Sequence, residues 1–159
     1  VSKVILNPDK ITYEMWAKYT SYLGSGDPES AFVVIRPAIV DWDFEVPLEG
    51  DRPDLKLPFL ALPEILASIR DTIENFNDTL DDSAVTVDLN KAGMAEYYGY
   101  VAALKAGNLK PIEDYYKLVA DPNDKDYDPA KRLSLRHGLI MRKAVERVTE
   151  ELFRQRKAR

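Results

Sequence analysis

Asp27-Pro28-Glu29-Ser30-Ala31-Phe32-Val33-Val34-Ile35-Arg36-Pro37-Ala38-Ile39-Val40 runs directly into Asp41-Trp42-Asp43-Phe44-Glu45-Val46, and the change of period between the two decides the fold class. An aspartate can accept a hydrogen bond from the unpartnered amides of a first helical turn, and Pro28 stands where a missing N–H costs nothing, so a helix begins here. Pro37 ends that helix or bends it on toward Val40, because its ring clashes with the preceding turn. From Asp41 to Val46 an acid alternates with a large apolar residue, the period of a strand with one wet and one buried face. Pro47 and the stretch from Gly50 to Pro53 supply turn chemistry. Ile65, Leu66, Ile69, Ile73, Phe76 and Leu80 then fall three or four apart, the stripe of a helix from about Pro63 to about Leu80.

Toward the N-terminus, Thr12 caps a first helix, and Ile11 and Trp16 occupy the two positions of a hydrophobic staple. Its apolar stripe is Met15, Trp16, Tyr19, Tyr22 and Leu23, and Gly24 or Gly26 supplies the left-handed residue that ends it. Toward the C-terminus, Asp81-Asp82-Ser83 breaks the Pro63 helix, and Ala84 to Leu89 alternates over a span short enough for an extended linker. Asp88 or Asn90 caps a helix from Lys91 to Ala106 with Gly107 as its stop, and a fifth helix starts around Lys110-Pro111. Asp121 to Asp128 is an acidic, turn-rich hinge candidate. From Pro129 only Gly138 interrupts the pattern, so a basic helix over residues 129–156, roughly 40 Å long, is expected, with little resting on that glycine. Leu133, Ile140, Met141, Ala144, Val145, Val148 and Leu152 form its stripe.

These elements predict a mainly α fold of five to six helices in a small bundle, with a short β hairpin or strand near residues 42–46. At 159 residues the chain fits one helical domain, or two lobes over 1–83 and 84–159. Hydrophobic content of 45% supports a core, and no apolar run approaches a bilayer span. The N-terminal residues lack the apolar core and cleavage site of a secretory signal, which favours the cytoplasm. Zero cysteines exclude disulfides, thiolate metal sites and thiol nucleophiles. The net charge of −5 conceals a division: Lys131 to Arg159 holds ten basic residues against three acids, a net of +7, which leaves −12 on residues 1–130. An acidic body and a basic tail attract each other within or between chains.

The Trp-Asp at the start of the extended piece, the acidic Gly turn and the Leu60-Ala61-Leu62-Pro63 entry into an amphipathic helix resemble the tail assembly chaperones of long-tailed bacteriophages over roughly Ile11 to Leu80. The resemblance implies a small helix-rich factor of the host cytoplasm that holds a tape-measure or tail-tube subunit before assembly. It implies no catalytic residue, and the residues themselves point to no cofactor and no metal. The chain departs from the pattern in its longer acidic turn, with Pro47, Pro53 and Pro58, and from Ala84 onward nothing corresponds.

The residues themselves offer two kinds of contact surface. Tyrosine suits a face that must tolerate water before a partner arrives, and Trp16, Tyr19, Tyr22, Tyr97, Tyr100 and Tyr115 are the expected partner-binding set, for a protein client or a second copy of the chain. Arg136, Arg142, Lys143, Arg147 and Arg154 on the basic helix could neutralise phosphates, which makes a structural or nucleic-acid-associated adaptor the alternative. Glu146, Glu150 and Glu151 at helical spacing and the absence of interleaved aromatics favour docking against the acidic body instead. His137, the sole histidine, follows Ser134 by three positions without an orienting acid, and is read as a packing residue. Asp41, Asp43 and Glu45 share one side of the expected strand, as the wet face of an alternating strand requires. The Asp121 to Asp128 loop lacks the glycine and terminal glutamate of an EF-hand.

Overall fold

The computed structural model describes residues 2–121 and 133–157 and is mainly helical, with six α-helices and one two-stranded antiparallel sheet among those residues. Strand β1 (Val4–Leu6) pairs with β2 (Ile39–Trp42), Val4 opposite Trp42, with an irregularity between Ile5 and Leu6. Helix α1 spans Tyr13–Gly24 and α2 spans Pro28–Ile35. They are joined at Gly26, whose φ of 76° provides the expected left-handed turn. Thr12 Oγ1 accepts from the Met15 amide at 3.1 Å, and Asp27 Oδ1 accepts from the Ser30 amide at 3.0 Å, so both predicted caps are made. The bonds to Ser30 hold the Asp27 carboxyl below the usual carboxylate range. At Pro37 the α-helix tightens into a single 3₁₀ turn over Arg36–Ala38.

The strand ends earlier than the alternation over 42–46 predicts. Trp42 Nε1 donates to the Val46 carbonyl at 2.7 Å. A strand would carry Val46 about 13 Å away, so the indole folds the chain back on itself just where its partner strand has run out. Phe44 then packs edge-on against Trp42, with ring centroids 5.3 Å apart. The N-terminal strand that β2 needs is three residues long, too short to show a period in the sequence. Its outer edge is closed by helix α3 (Ala61–Thr79), whose Ser68 hydroxyl accepts from the Val4 amide and donates to the Val4 carbonyl.

Helix α4 (Met94–Ala106) starts after a 3₁₀ turn at Leu89–Lys91 and stops at Gly107, where φ is 68°. A Cβ at Gly107 would lie 2.5 Å from the Ala17 carbonyl oxygen, so the stop also lets α4 close on α1. Helix α5 is Leu109–Val119. The segment before the Leu89 turn is an extended linker that bonds the end of α5, the Asp88 amide donating to the Val119 carbonyl at 2.9 Å. Helix α6 is Leu135–Lys157, and the first residues of the expected basic helix, with most of the Asp121–Asp128 loop, lie outside the described residues. Ser134 Oγ caps α6 by accepting from the His137 amide at 3.1 Å. The start of α6 is stitched to the start of α1, the Tyr13 amide donating to Leu133 and the Leu135 amide to Ile11.

One continuous buried cluster runs from Val4 to Val145 and draws on every helix. Gly138 is buried against it. A Cβ there would overlap the ring of Tyr13, so this position requires the absent side chain and is not the indifferent interruption that the sequence suggests.

Candidate partner surface

Three of the six aromatic residues expected on a partner surface are core. Tyr19, Tyr100 and Tyr115 are buried, whereas Trp16, Tyr22 and Tyr97 are half-buried against that core. Tyr100 and Tyr115 stack at 4.4 Å, and the Tyr100 and Tyr116 hydroxyls share a 2.9 Å hydrogen bond. Tyr13 packs edge-on against Tyr116. Tyr13, Tyr100 and Tyr116 do the work of phenylalanine with a polar tip, because helices α1, α4 and α5 bring their hydroxyls together where they satisfy one another, whereas the buried Tyr19 hydroxyl has no partner among the described residues. Burial pushes Tyr13, Tyr100, Tyr115 and Tyr116 above the ordinary phenol range and Tyr19 up to about 12. Tyr13, Tyr19 and Tyr116 are thereby lost to any preformed contact surface, and Tyr100 and Tyr115 contribute only to the floor of a groove between α4 and α5.

The basic residues of α6 are largely spent within the fold. Lys143 Nζ donates to the carbonyl of Asn77, which also accepts the Leu80 amide in the closing turn of α3, and to the carbonyl of Leu80 just past the helix end. A cation there also meets the negative end of the helix dipole. Arg147 continues the contact, donating to the Val85 carbonyl at 3.0 Å and pairing with the Asp82 carboxylate at 3.3 Å. Arg136 pairs with Asp9 and lies over the Phe76 ring, 5.1 Å from its centroid. Arg142 and Arg154 pair with Glu146 and Glu150 one turn away. The described part of the basic helix is thus docked on the acidic segment after α3, and two of its five expected phosphate contacts are committed to carbonyls.

Ser134 and His137 do come together, Oγ to Nδ1 at 3.0 Å. The same oxygen accepts the His137 amide, so the pair is a helix cap with an imidazole folded over it. Asp41 accepts from the amide of Trp42, and Asp43 from that of Lys3 at 2.6 Å. Among the described residues no three His, Asp or Glu side chains approach closely enough to hold a metal ion, and no helix is long and apolar enough to cross a membrane.

The exposed apolar surface lies elsewhere. Between Pro53 and α3 the chain forms a ridge on which Leu55, Phe59 and Leu60 are 68%, 80% and 77% exposed. Monomeric surfaces scatter large apolar residues singly; three within six residues form a patch. The ridge is built rigidly. Arg52 grips Asp54 through two nitrogens at 3.1 and 3.0 Å and Glu29 at the start of α2 through the third at 2.9 Å. Arg36 holds the carbonyls of Gly50 and Ile39. Pro53 is buried, a 3₁₀ turn follows over Pro53–Lys56, and Leu57 packs on the core. A groove of about 380 Å³ runs along one flank against Phe32, Leu62 and Ile65, and another of about 350 Å³ lies against Phe44 and Val46 on the other. Sequence reasoning missed this surface because turn chemistry was read only as a break. The available signal was Leu55, Leu57 and Phe59 at the spacing of a strand, followed by Leu60, in a stretch where Pro53, Pro58 and Pro63 rule out a regular strand to bury them.

A second open surface joins the first turn of α4 to the end of α6, where Met94, Tyr97, Leu152 and Phe153 line a shallow groove. A wider groove of about 470 Å³ between α4 and α5 is floored by Tyr100, Tyr115 and Leu118. Its rim carries Lys110 and Asp114, paired with each other at 3.2 Å. No protein-family model, curated protein or solved structure matches this chain.

Proposed function

We propose that the protein is a non-enzymatic assembly chaperone or adaptor of phage-tail type, which holds a tape-measure or tail-tube subunit until assembly. The observation that carries this reading is the Leu55–Leu60 ridge, a rigid apolar surface open to solvent and flanked by two grooves. A client helix laying its apolar stripe against the ridge would bury Phe59 and Leu60, each worth about 1.5–3 kcal/mol when fully covered. The grip of Arg52 and Arg36 means that little ordering cost is charged to the encounter. The sequence resemblance over residues 11–80 supplies the class of client, and the ridge falls within it.

Co-expression with a tape-measure fragment followed by size exclusion tests the reading. Co-elution and a gain in client solubility are expected, and both should disappear in Phe59→Asp/Leu60→Asp. A client that remains insoluble, or elutes alone, rejects it.

A further inference from the structure

Two surfaces that the fold leaves open complement each other. The first is the ridge, whose approach is acidic: residues 41–54 hold six acids and one base, and Asp41, Asp43, Glu45, Glu49 and Asp51 are exposed. The single base, Arg52, is already engaged by Glu29 and Asp54. The second is the tip of α6. Past the docked Arg147, residues 150–156 are exposed, with Leu152 at 44% and Phe153 at 63% beside Arg154 and Arg156. Residues 152–159 hold four bases and no acid. Among the described residues Arg154 is held by an exposed contact to Glu150 at 3.4 Å, which exchanges readily for another carboxylate.

We propose that the α6 tip of one copy seats on the Leu55–Leu60 ridge of a second copy, head to tail. The apolar pair Leu152 and Phe153 meets Leu55, Phe59 and Leu60, while the tip arginines meet the acids before the ridge. An apolar centre with arginine at its edge is the usual make-up of a protein interface. Intramolecular closure is excluded by position. The ridge adjoins Ala61, the first residue of α3, whereas α6 meets the far end of α3 at Asn77 and Leu80 and runs on past Val85 to Met94. With 19 residues in α3, its two ends are about 28 Å apart. Each copy therefore offers one free half of the contact at either end, a heterologous arrangement that extends or closes into a ring. This inference shares the ridge with the client reading but takes its occupant from the chain itself, so it requires no tape-measure or tail-tube client.

Sedimentation velocity of the full chain over a range of concentrations, at low and high salt, gives the first test. Mass should rise with concentration and fall back as salt screens the arginines. Phe59→Asp and Phe153→Asp alter exposed side chains, so each should keep the wild-type circular dichroism and each should be monomeric alone. Mixed one to one, they should form a dimer and nothing larger, because each variant retains the half that the other has lost. A wild-type chain that is monomeric at about 1 mM, where even a millimolar Kd is visible, overturns the proposal. So does a mixture that stays monomeric. A Phe153→Asp chain that still dimerises would show a ridge-to-ridge contact instead, and also overturns it. None of these outcomes depends on the tape-measure experiment, so the two readings fail separately.

Discussion

Gly138→Ala and Gly99→Ala are the same chemical change inside two α-helices, and the structure predicts opposite signs. In an unobstructed helix interior, alanine is better than glycine by about 1 kcal/mol because the unfolded chain has less freedom to lose. Gly99, within α4, has nothing within 4 Å of its missing Cβ, so Gly99→Ala should stabilise by about 0.5–1 kcal/mol. Gly138 faces the Tyr13 ring, which the new methyl would overlap. The ring has little room to retreat: Tyr13 is buried, lies edge-on to Tyr116 at 6.4 Å, and its backbone amide is tied to Leu133 at 2.9 Å. Forcing a methyl into a filled core costs about 1–3 kcal/mol, which outweighs the propensity gain over most of that range. Opening the α1–α6 contact to make room would add to the cost, so a net loss of about 1–2 kcal/mol is expected. For a chain of this length that corresponds to a fall in Tm of about 2–8 °C. Urea unfolding followed by far-ultraviolet circular dichroism, with both variants beside the wild type, measures it. A Gly138→Ala chain as stable as Gly99→Ala would refute the packing of α6 on Tyr13.

Alkali should unfold the protein in step with its buried phenols. Burial keeps Tyr19 protonated up to about 12, so above pH about 10 the unfolded chain releases a proton that the folded chain retains. Its contribution is complete below pH 10 and falls by about 2 kcal/mol by pH 12. Tyr13, Tyr100, Tyr115 and Tyr116 act in the same direction, and tyrosinate absorbance at 295 nm should lag behind a denatured control until the fold is lost. Arg147→Met frees the Val85 carbonyl and leaves the Asp82 carboxylate without its cation, for a loss of about 1–3 kcal/mol, whereas Arg154→Met should change stability by less than about 0.5 kcal/mol in the same urea titration. Val145→Asp buries an unpaired carboxylate at a fully enclosed site and should abolish the cooperative transition; Val148→Asp, at a half-buried position, should weaken it without removing it.

The helices were legible because their signals are local. Thr12 and Asp27 cap where expected, Gly26 and Gly107 take the left-handed turn, and Ile65, Ile69 and Ile73 form the buried stripe of α3. What the sequence hid depends on contacts distant along the chain. β1 exists because Trp42 lies opposite Val4, and β2 stops because an indole reaches back to Val46. The tyrosines misled for a related reason. Composition cannot distinguish a hydroxyl facing water from one facing another hydroxyl, and only the meeting of α4 with α5 brings Tyr100 to Tyr116. The ridge escaped because its exposure is a property of the turn that lifts it, not of the residues that it carries.

The division of charge between the acidic body and the basic end has a physical use that accounts for where each basic residue sits. α3 ends at Thr79 with carbonyls that no further turn of helix can satisfy, and Asp81-Asp82-Ser83 adds carboxylates beside them. Neutral side chains could bond some of these groups but would leave the accumulated negative charge uncompensated. Lys143 and Arg147, one turn apart on α6, meet both needs at once, and they hold the middle of α6 against the end of α3. Once α6 has passed that point its apolar stripe is nearly exhausted: Val148 is half-buried, and Leu152 and Phe153 are open. Arg154, beyond Arg147, pairs with Glu150 on its own helix and with no carbonyl among the described residues. Arg154 and Arg156 stand beside two uncovered apolar side chains, a combination that water solvates poorly and an acidic apolar surface accepts well. The asymmetry that docks the helix at home thus also leaves its last two turns equipped to dock elsewhere.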